Sequence, residues 1–225
     1  MNKIFALLFF CSFNIVAFAQ NYTSVADSDP EARAILDKIK KQQESYTSVE
    51  AAFTLDIEIP EQPKEVQKGI IAQQGDKYNL QLGTYSVISD GSAIWMILHN
   101  NKEVQINDIP DEEDDSILTP QSLFSIYEKG NFVYILANEF HDKSIGKNVQ
   151  QIEFKPIDRD SEYTKLRLTV EKGTTNVQNI KAFSRDGSRY TFTFNKISPN
   201  KTFTASHFSF DKSKYKDYYV EDLRE

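Results

Sequence analysis

Two periods of apolar positions run along the chain and set out its elements. Ala32, Ile35, Leu36, Ile39 and Tyr46 recur at helical spacing behind Asp29, a cap, and Pro30, a first helical residue whose missing amide is harmless there. Glu31 near the start, and Lys40 and Lys41 near the end, suit the helix dipole. After Ser48 the period falls to two: Phe53, Leu55, Ile57 and Ile59 alternate with polar residues, as in a half-buried strand. Further strands are expected over 66–74, from Tyr78 through Leu82, and over 87–89, 94–98 and 103–109. Turns at Gly75-Asp76, Asp90-Gly91 and Asn100-Asn101 separate them.

Thr119-Pro120 reads as a cap and first position of a second, short helix carrying Leu123, Phe124, Ile126 and Tyr127 and closed by Gly130. Strands resume over 132–140, 149–156, 163–171, 177–184, 189–198 and 203–210. From Asp211 onward the tail is strongly charged and reads as peripheral. No internal repeat or low-complexity linker divides the chain. The pattern predicts a mainly β protein with a few helices: one antiparallel sheet of about ten or eleven strands in a single domain over 20–225.

The first residues stand apart. Lys3 precedes an apolar run from Ile4 to Phe18, and Ala17-Phe18-Ala19 is an A-x-A cleavage signal, so residues 1–19 read as a signal peptide removed on export. The run is short for a bilayer core, which needs roughly 20 residues. Cys11 lies inside it, behind Phe9 and Phe10, where a lipid-modified cysteine would need small neighbours. The mature chain then holds no cysteine and no disulfide, and folds on core burial alone.

The net charge of -7 becomes -8 once Lys3 leaves with the signal. That balance disfavours a nucleic-acid partner and simple electrostatic docking on anionic lipid. His99, His141 and His207 lie far apart and in no motif, and none of the familiar nucleophile, metal or phosphate signatures occurs. No catalytic residue, metal or cofactor is therefore assigned. The run Asp111 to Asp115 is contiguous and lacks the spacing and glycine of a calcium loop, so it reads as a solvated loop.

The aromatic content changes the picture more. Sixteen Phe, eleven Tyr and one Trp make up 12% of the chain, and many alternate on strands. Two short helices must cover the apolar face of the whole sheet. Whatever they leave uncovered must be filled by side chains, a partner or an apolar ligand.

Several stretches resemble LolA-type outer-membrane lipoprotein carriers. Val49-Glu50-Ala51-Ala52-Phe53-Thr54 after Tyr46-Thr47-Ser48 is similar to their first helix and strand, and Gly69-Ile70-Ile71 with Lys77-Tyr78-Asn79-Leu80 to their next hairpin. Ile88-Ser89-Asp90-Gly91-Ser92-Ala93-Ile94-Trp95, Thr119-Pro120-Gln121-Ser122-Leu123-Phe124, Phe154-Lys155-Pro156, Asp186-Gly187 and the stretch from Phe203 to Phe210 continue in order. The resemblance implies a curved, incomplete β-barrel under a helical lid. It also implies a monomeric, soluble periplasmic carrier that takes lipoprotein acyl chains from an inner-membrane lipoprotein-releasing ABC transporter to an outer-membrane acceptor lipoprotein or its equivalent.

On that reading Ile35, Ile39, Phe53, Leu55, Ile57, Tyr78, Leu80, Leu82, Trp95, Ile97, Leu123 and Phe124 line the cavity. A face assigned one residue out would exchange Trp95 and Ile97 for Ile94, Met96 and Leu98. The family often has an arginine latch where this chain has Gln74, an amide without the charge-assisted fork. Other readings are a sensor of lipid or lipoprotein on the same fold, an interaction module filled by its own side chains, and a hydrolase without a visible acid–base pair.

Overall fold

A computed structural model describes residues 24–109 and 130–224. The expected signal segment, the acidic run 111–115 and the short helix expected to carry Leu123 and Phe124 lie outside the described residues. Helix α1 (Pro30–Glu44) starts as expected, with Pro30 in its first turn and the Asp29 carboxylate accepting from the Glu31 amide at 2.8 Å. Asp29 also ties the helix to the sheet: its amide donates to the Tyr134 carbonyl, and its second carboxylate oxygen accepts from the Leu136 amide at 3.2 Å.

Twelve strands follow: β1 (Val49–Glu58), β2 (Glu65–Gln74), β3 (Lys77–Leu82), β4 (Tyr85–Ser89), β5 (Ile94–Leu98), β6 (Glu103–Asn107), β7 (Phe132–Asp142), β8 (Lys147–Pro156), β9 (Tyr163–Glu171), β10 (Val177–Ser184), β11 (Arg189–Pro199) and β12 (Tyr219–Asp222). They form one sheet in the order β12-β6-β5-β4-β3-β2-β1-β11-β10-β9-β8-β7. Two meanders, β1 through β6 and β7 through β11, are joined where β1 pairs antiparallel with β11, from Val49 opposite Pro199 to Glu58 opposite Arg189. The end strands are not paired to each other, so the twisted sheet stays an incomplete barrel.

Two expectations at the C-terminus are corrected. Residues 203–210 do not form a strand; Ala205–Phe208 is a 3₁₀ turn. Both sides of β11 are already taken by β1 and β10, so the chain leaving it cannot turn back and pair with β11. The tail is not peripheral either. It crosses the sheet and adds β12 in parallel to β6, Tyr219 opposite Glu103 through Asp222 opposite Ile106.

Directly opposed residues share a face, and the register therefore sorts the side chains. One face carries Ala51, Phe53 and Leu55 of β1, with Phe194 and Phe192 of β11 opposite Phe53 and Leu55. It continues through Ile71, Leu80, Val87 and Met96 on one side and Ile180, Leu168 and Ile152 on the other. Helix α1 lies on this face and packs Ala32, Leu36 and Ile39 among Phe132, Tyr134, Ile152 and Phe154. We call it the helix face.

Gly69 is needed where it stands. It sits opposite Phe53, whose ring lies over it, and a Cβ there would fall 2.3 Å from the ring tip. Phe53 is itself 5% exposed and packed 5.9 Å from the Phe192 ring, so it has little room to yield. Gly69→Ala should destabilise the protein by about 1–3 kcal/mol, as overpacked cores do. Denaturant melts should show Phe53→Leu recovering part of that loss in the double variant.

Acid should weaken the fold in a defined window. Glu153 is partly buried, which opposes its charge, but hydrogen bonds from Arg167 and Lys165 outweigh that and hold its carboxyl below the usual range. Asp90 behaves alike: burial is offset by Ser92 and Ala93 donors in the Asp-Gly turn. Carboxyls lowered in the folded state bind protons more readily when unfolded, so their stabilisation is full above the unfolded value and lost as pH falls through the folded one. Unfolding free energy should therefore hold above about pH 5 and drop below about pH 4, with a shallower drop in Glu153→Gln.

Candidate functional site: an apolar cavity at the seam between the two meanders

The last turn of α1 and the connection 45–48 overhang the helix face where β2, β1 and β11 run side by side. A cavity of about 330 Å³ lies between them. Its sheet side is formed by Val49, Ala51, Ile71, Phe194 and Ile197, and its rim by Lys40, Gln43, Glu44, Thr47 and Gln73. The volume falls at the lower end of the roughly 300–1,000 Å³ of small-molecule pockets, and an apolar wall with a few polar groups at the mouth is their usual make-up.

The overhang is held by hydrogen bonds to the residues that follow β11. Thr47 donates its amide to Asn200 Oδ1 at 2.9 Å, Ser48 Oγ donates to the Lys201 carbonyl at 2.6 Å, and the Asn200 amide donates to the Ser48 carbonyl at 2.7 Å. Asn200 has φ of 57°, which asparagine tolerates better than most residues. On the rim, Lys40 lies 3.4 Å from Glu44, so the mouth bears a balanced pair rather than a bare charge.

The residues expected to line a cavity fall into three groups. Phe53, Leu55, Ile57, Leu80 and Leu82 come together in one cluster on the helix face, next to Ala51 and Ile71 of the cavity wall. Tyr78 shares that face and is half-buried, and desolvation raises its phenol pKa. Ile39 is buried under the helix with Ile35 packed beside it, in the cluster over β7–β10.

Trp95 and Ile97 belong to the opposite face. Trp95 pairs with Ile88 and Ile106, and Ile97 with Val104. The helix-face positions of β5 are Ile94, Met96 and Leu98. Gln74 is exposed and shares the outer parity of Ile70 and Ala72, whereas its neighbour Gln73 reaches the cavity rim. The residues that form the cavity wall were not singled out from sequence. Val49 and Ala51 keep the parity of Phe53, and Ile71 and Gln73 that of Gly69, so the signal was an alternation carried two residues further.

A family model described as outer membrane lipoprotein carrier protein LolA matches residues 83–211, more than half of the 225-residue chain. The chain belongs to the LolA family. None of the curated proteins compared matches it. An uncharacterized conserved protein from Thermus thermophilus superposes with a TM-score of 0.54 at 13% identity, over 87% of this chain and 99% of that one, which shows a common fold. Looser overlaps are found with a LolA superfamily protein from Nitrosomonas europaea (TM-score 0.42, 11% identity, 80% and 98% covered). An outer membrane lipoprotein-sorting protein domain from Vibrio parahaemolyticus overlaps similarly (0.44, 12%, 81% and 97%). The family fold is a binding fold. No described helix is long and apolar enough to cross a membrane, and the described residues hold no cluster of three metal-ligating side chains.

In this family member the C-terminal segment covers the face opposite the cavity. Trp95 stacks on Phe210 at 5.8 Å, Phe210 on Tyr215 at 5.3 Å, and Tyr218 meets Tyr215 edge-on. His99 bridges Ser86 Oγ at 2.9 Å and the Tyr218 hydroxyl at 3.3 Å. Trp95 is the one tryptophan of the chain, so its fluorescence reports on this segment alone. Phe210→Ala should shift its emission to the red and lower stability by about 2 kcal/mol, while binding of an apolar dye is unchanged.

Proposed function

We propose that this chain is a non-enzymatic periplasmic carrier that shelters the acyl chains of lipoproteins and moves them from the inner to the outer membrane. The observation that carries the reading is the cavity at the seam, apolar on its sheet side and open at a polar rim. An acyl chain needs such a wall, since each buried CH₂ is worth about 0.8 kcal/mol. The glyceryl and peptide groups of a lipoprotein are polar and stay at a mouth such as Lys40, Glu44 and Gln73 provide.

The apolar surface extends beyond the cavity. Ile57, Leu80, Tyr85, Phe192 and Phe194 are only partly buried in the cluster beside it. A cavity this small takes part of a load as it stands. Full loading then requires the C-terminal end of α1 to lift, while Asp29 keeps the N-terminal end on β7. The C-terminal end is held by Thr47 and the buried Ser48 against Asn200 and Lys201, and lifting it breaks those bonds. Loading comes from the lipoprotein-releasing transporter of the inner membrane and unloading to an acceptor at the outer membrane. Residues 1–19 direct export.

Native mass spectrometry of the mature chain with a synthetic triacylated lipopeptide tests the reading. A one-to-one complex is expected, and Ala51→Phe, which fills the cavity wall, should weaken it about tenfold, or about 1.4 kcal/mol. Thermal melting of that variant checks that it still folds. A wild-type chain that takes up neither lipopeptide nor apolar dye would sink the proposal.

A further inference from the structure

The face turned away from the cavity carries a charge cluster that acyl binding does not use. Phe183 of β10 is half-buried there, and four cations surround its ring. Lys165 Nζ lies 4.9 Å from the ring centroid, Arg167 5.3 Å, Lys181 Nζ 5.6 Å and Arg189 5.9 Å. The register produces this: Phe183 is opposite Lys165 on β9 and Arg189 on β11, and Lys181 is opposite Arg167. Cations brought side by side on one sheet face repel each other. In a chain of net charge -7 their gathering is not a matter of composition.

Two carboxylates answer the four cations. Glu153 accepts from Lys165 at 3.0 Å and from Arg167 Nε at 2.9 Å, and Glu58 lies 3.6 Å from Lys181. Arg189 is exposed and stands opposite Glu58 on β1, and the Glu58 carboxylate is turned to Lys181. Attraction to the Phe183 ring offsets part of the remaining repulsion. An excess of positive charge is left facing solvent. Lys165, Arg167 and Lys181 are 33%, 27% and 25% exposed at their side chains, so they lie down on the sheet and present a level surface.

We propose that this patch docks an acidic, extended segment of a partner protein. Neighbouring strands are about 4.8 Å apart and alternate residues of an extended peptide about 7 Å apart, so carboxylates at every second residue can each meet a cation of β9–β11. Glu153 and Glu58 interrupt the patch. A peptide can leave gaps opposite them, whereas a uniformly anionic bilayer would meet both glutamates and the -7 of the whole chain. Because patch and cavity are on opposite faces, a partner can be engaged while the cavity is occupied. The proposal does not depend on what the cavity holds.

The test uses the mature chain and a fluorescein-labelled peptide of alternating glutamate and threonine, followed by anisotropy. Saturable binding is expected, weakened at least about tenfold between roughly 50 mM and 0.5 M salt. Lys181→Glu/Arg189→Glu should weaken it by a similar factor; Lys38→Glu/Lys143→Glu, with the same change in net charge, should not. Amide shifts in an NMR titration should gather on β9–β11, and near-ultraviolet dichroism shows whether the variants keep their fold. No binding, equal loss in both double variants, or shifts centred elsewhere would overturn the proposal. So would phosphatidylglycerol vesicles that bind through Lys181 and Arg189 when the peptide does not.

Discussion

The pairing of β1 with β11 is the constraint on which the rest of the molecule rests. It joins strands some 140 residues apart along the chain, Phe53 with Phe194 and Leu55 with Phe192, and without it the two meanders would be separate sheets with separate apolar faces. A non-local pairing of this kind forms late and against loop-closure entropy. The cavity lies along the same line, with β1 and β11 supplying Val49, Ala51, Phe194 and Ile197 of its wall. Fold and site thus share one set of contacts.

Coverage is uneven on the two sides of that line. Helix α1 buries Ala32, Leu36 and Ile39 against the second meander, and there the apolar face is packed: Ile152, Leu166 and Val170 are almost fully enclosed. Over the first meander, Leu80, Tyr85 and Ile57 remain partly exposed among the described residues. Among the described residues α1 is the one α-helix, and its fifteen residues are too short for eleven antiparallel strands. The mismatch is what leaves hydrocarbon-compatible surface without leaving the core unformed.

Most of the architecture was legible in the alternation of apolar positions, because each half-buried strand announces its inward residues. The misreadings have physical causes. In Ile94-Trp95-Met96-Ile97-Leu98 every position is apolar, so the period that assigns a face is erased. Its Trp95 and Ile97 side is covered by Phe210 and Tyr215 of the tail. In Phe203 to Phe210 the alternation is present, yet both sides of β11, the strand just before it, are already paired. The tail's role could not be read from its charge, since Tyr215, Tyr218 and Val220 provide the burial between the charged residues. Of the site, the helix and β1 were legible, while Ala51 is small and followed by a second alanine, and Ile71 lies in the apolar run Ile70-Ile71-Ala72, where alternation is lost.

The parallel strand β12 has one more consequence. An unclosed sheet exposes hydrogen-bonding rows that invite other chains to join it. Here the row on β6 is taken up by four residues of the same chain, whose outer side carries Glu221 and Asp222. At the far margin, Ser28 and Asp29 occupy the amides of Tyr134 and Leu136. A sheet that never closes on itself has in this way been blunted against polymerising with its own copies.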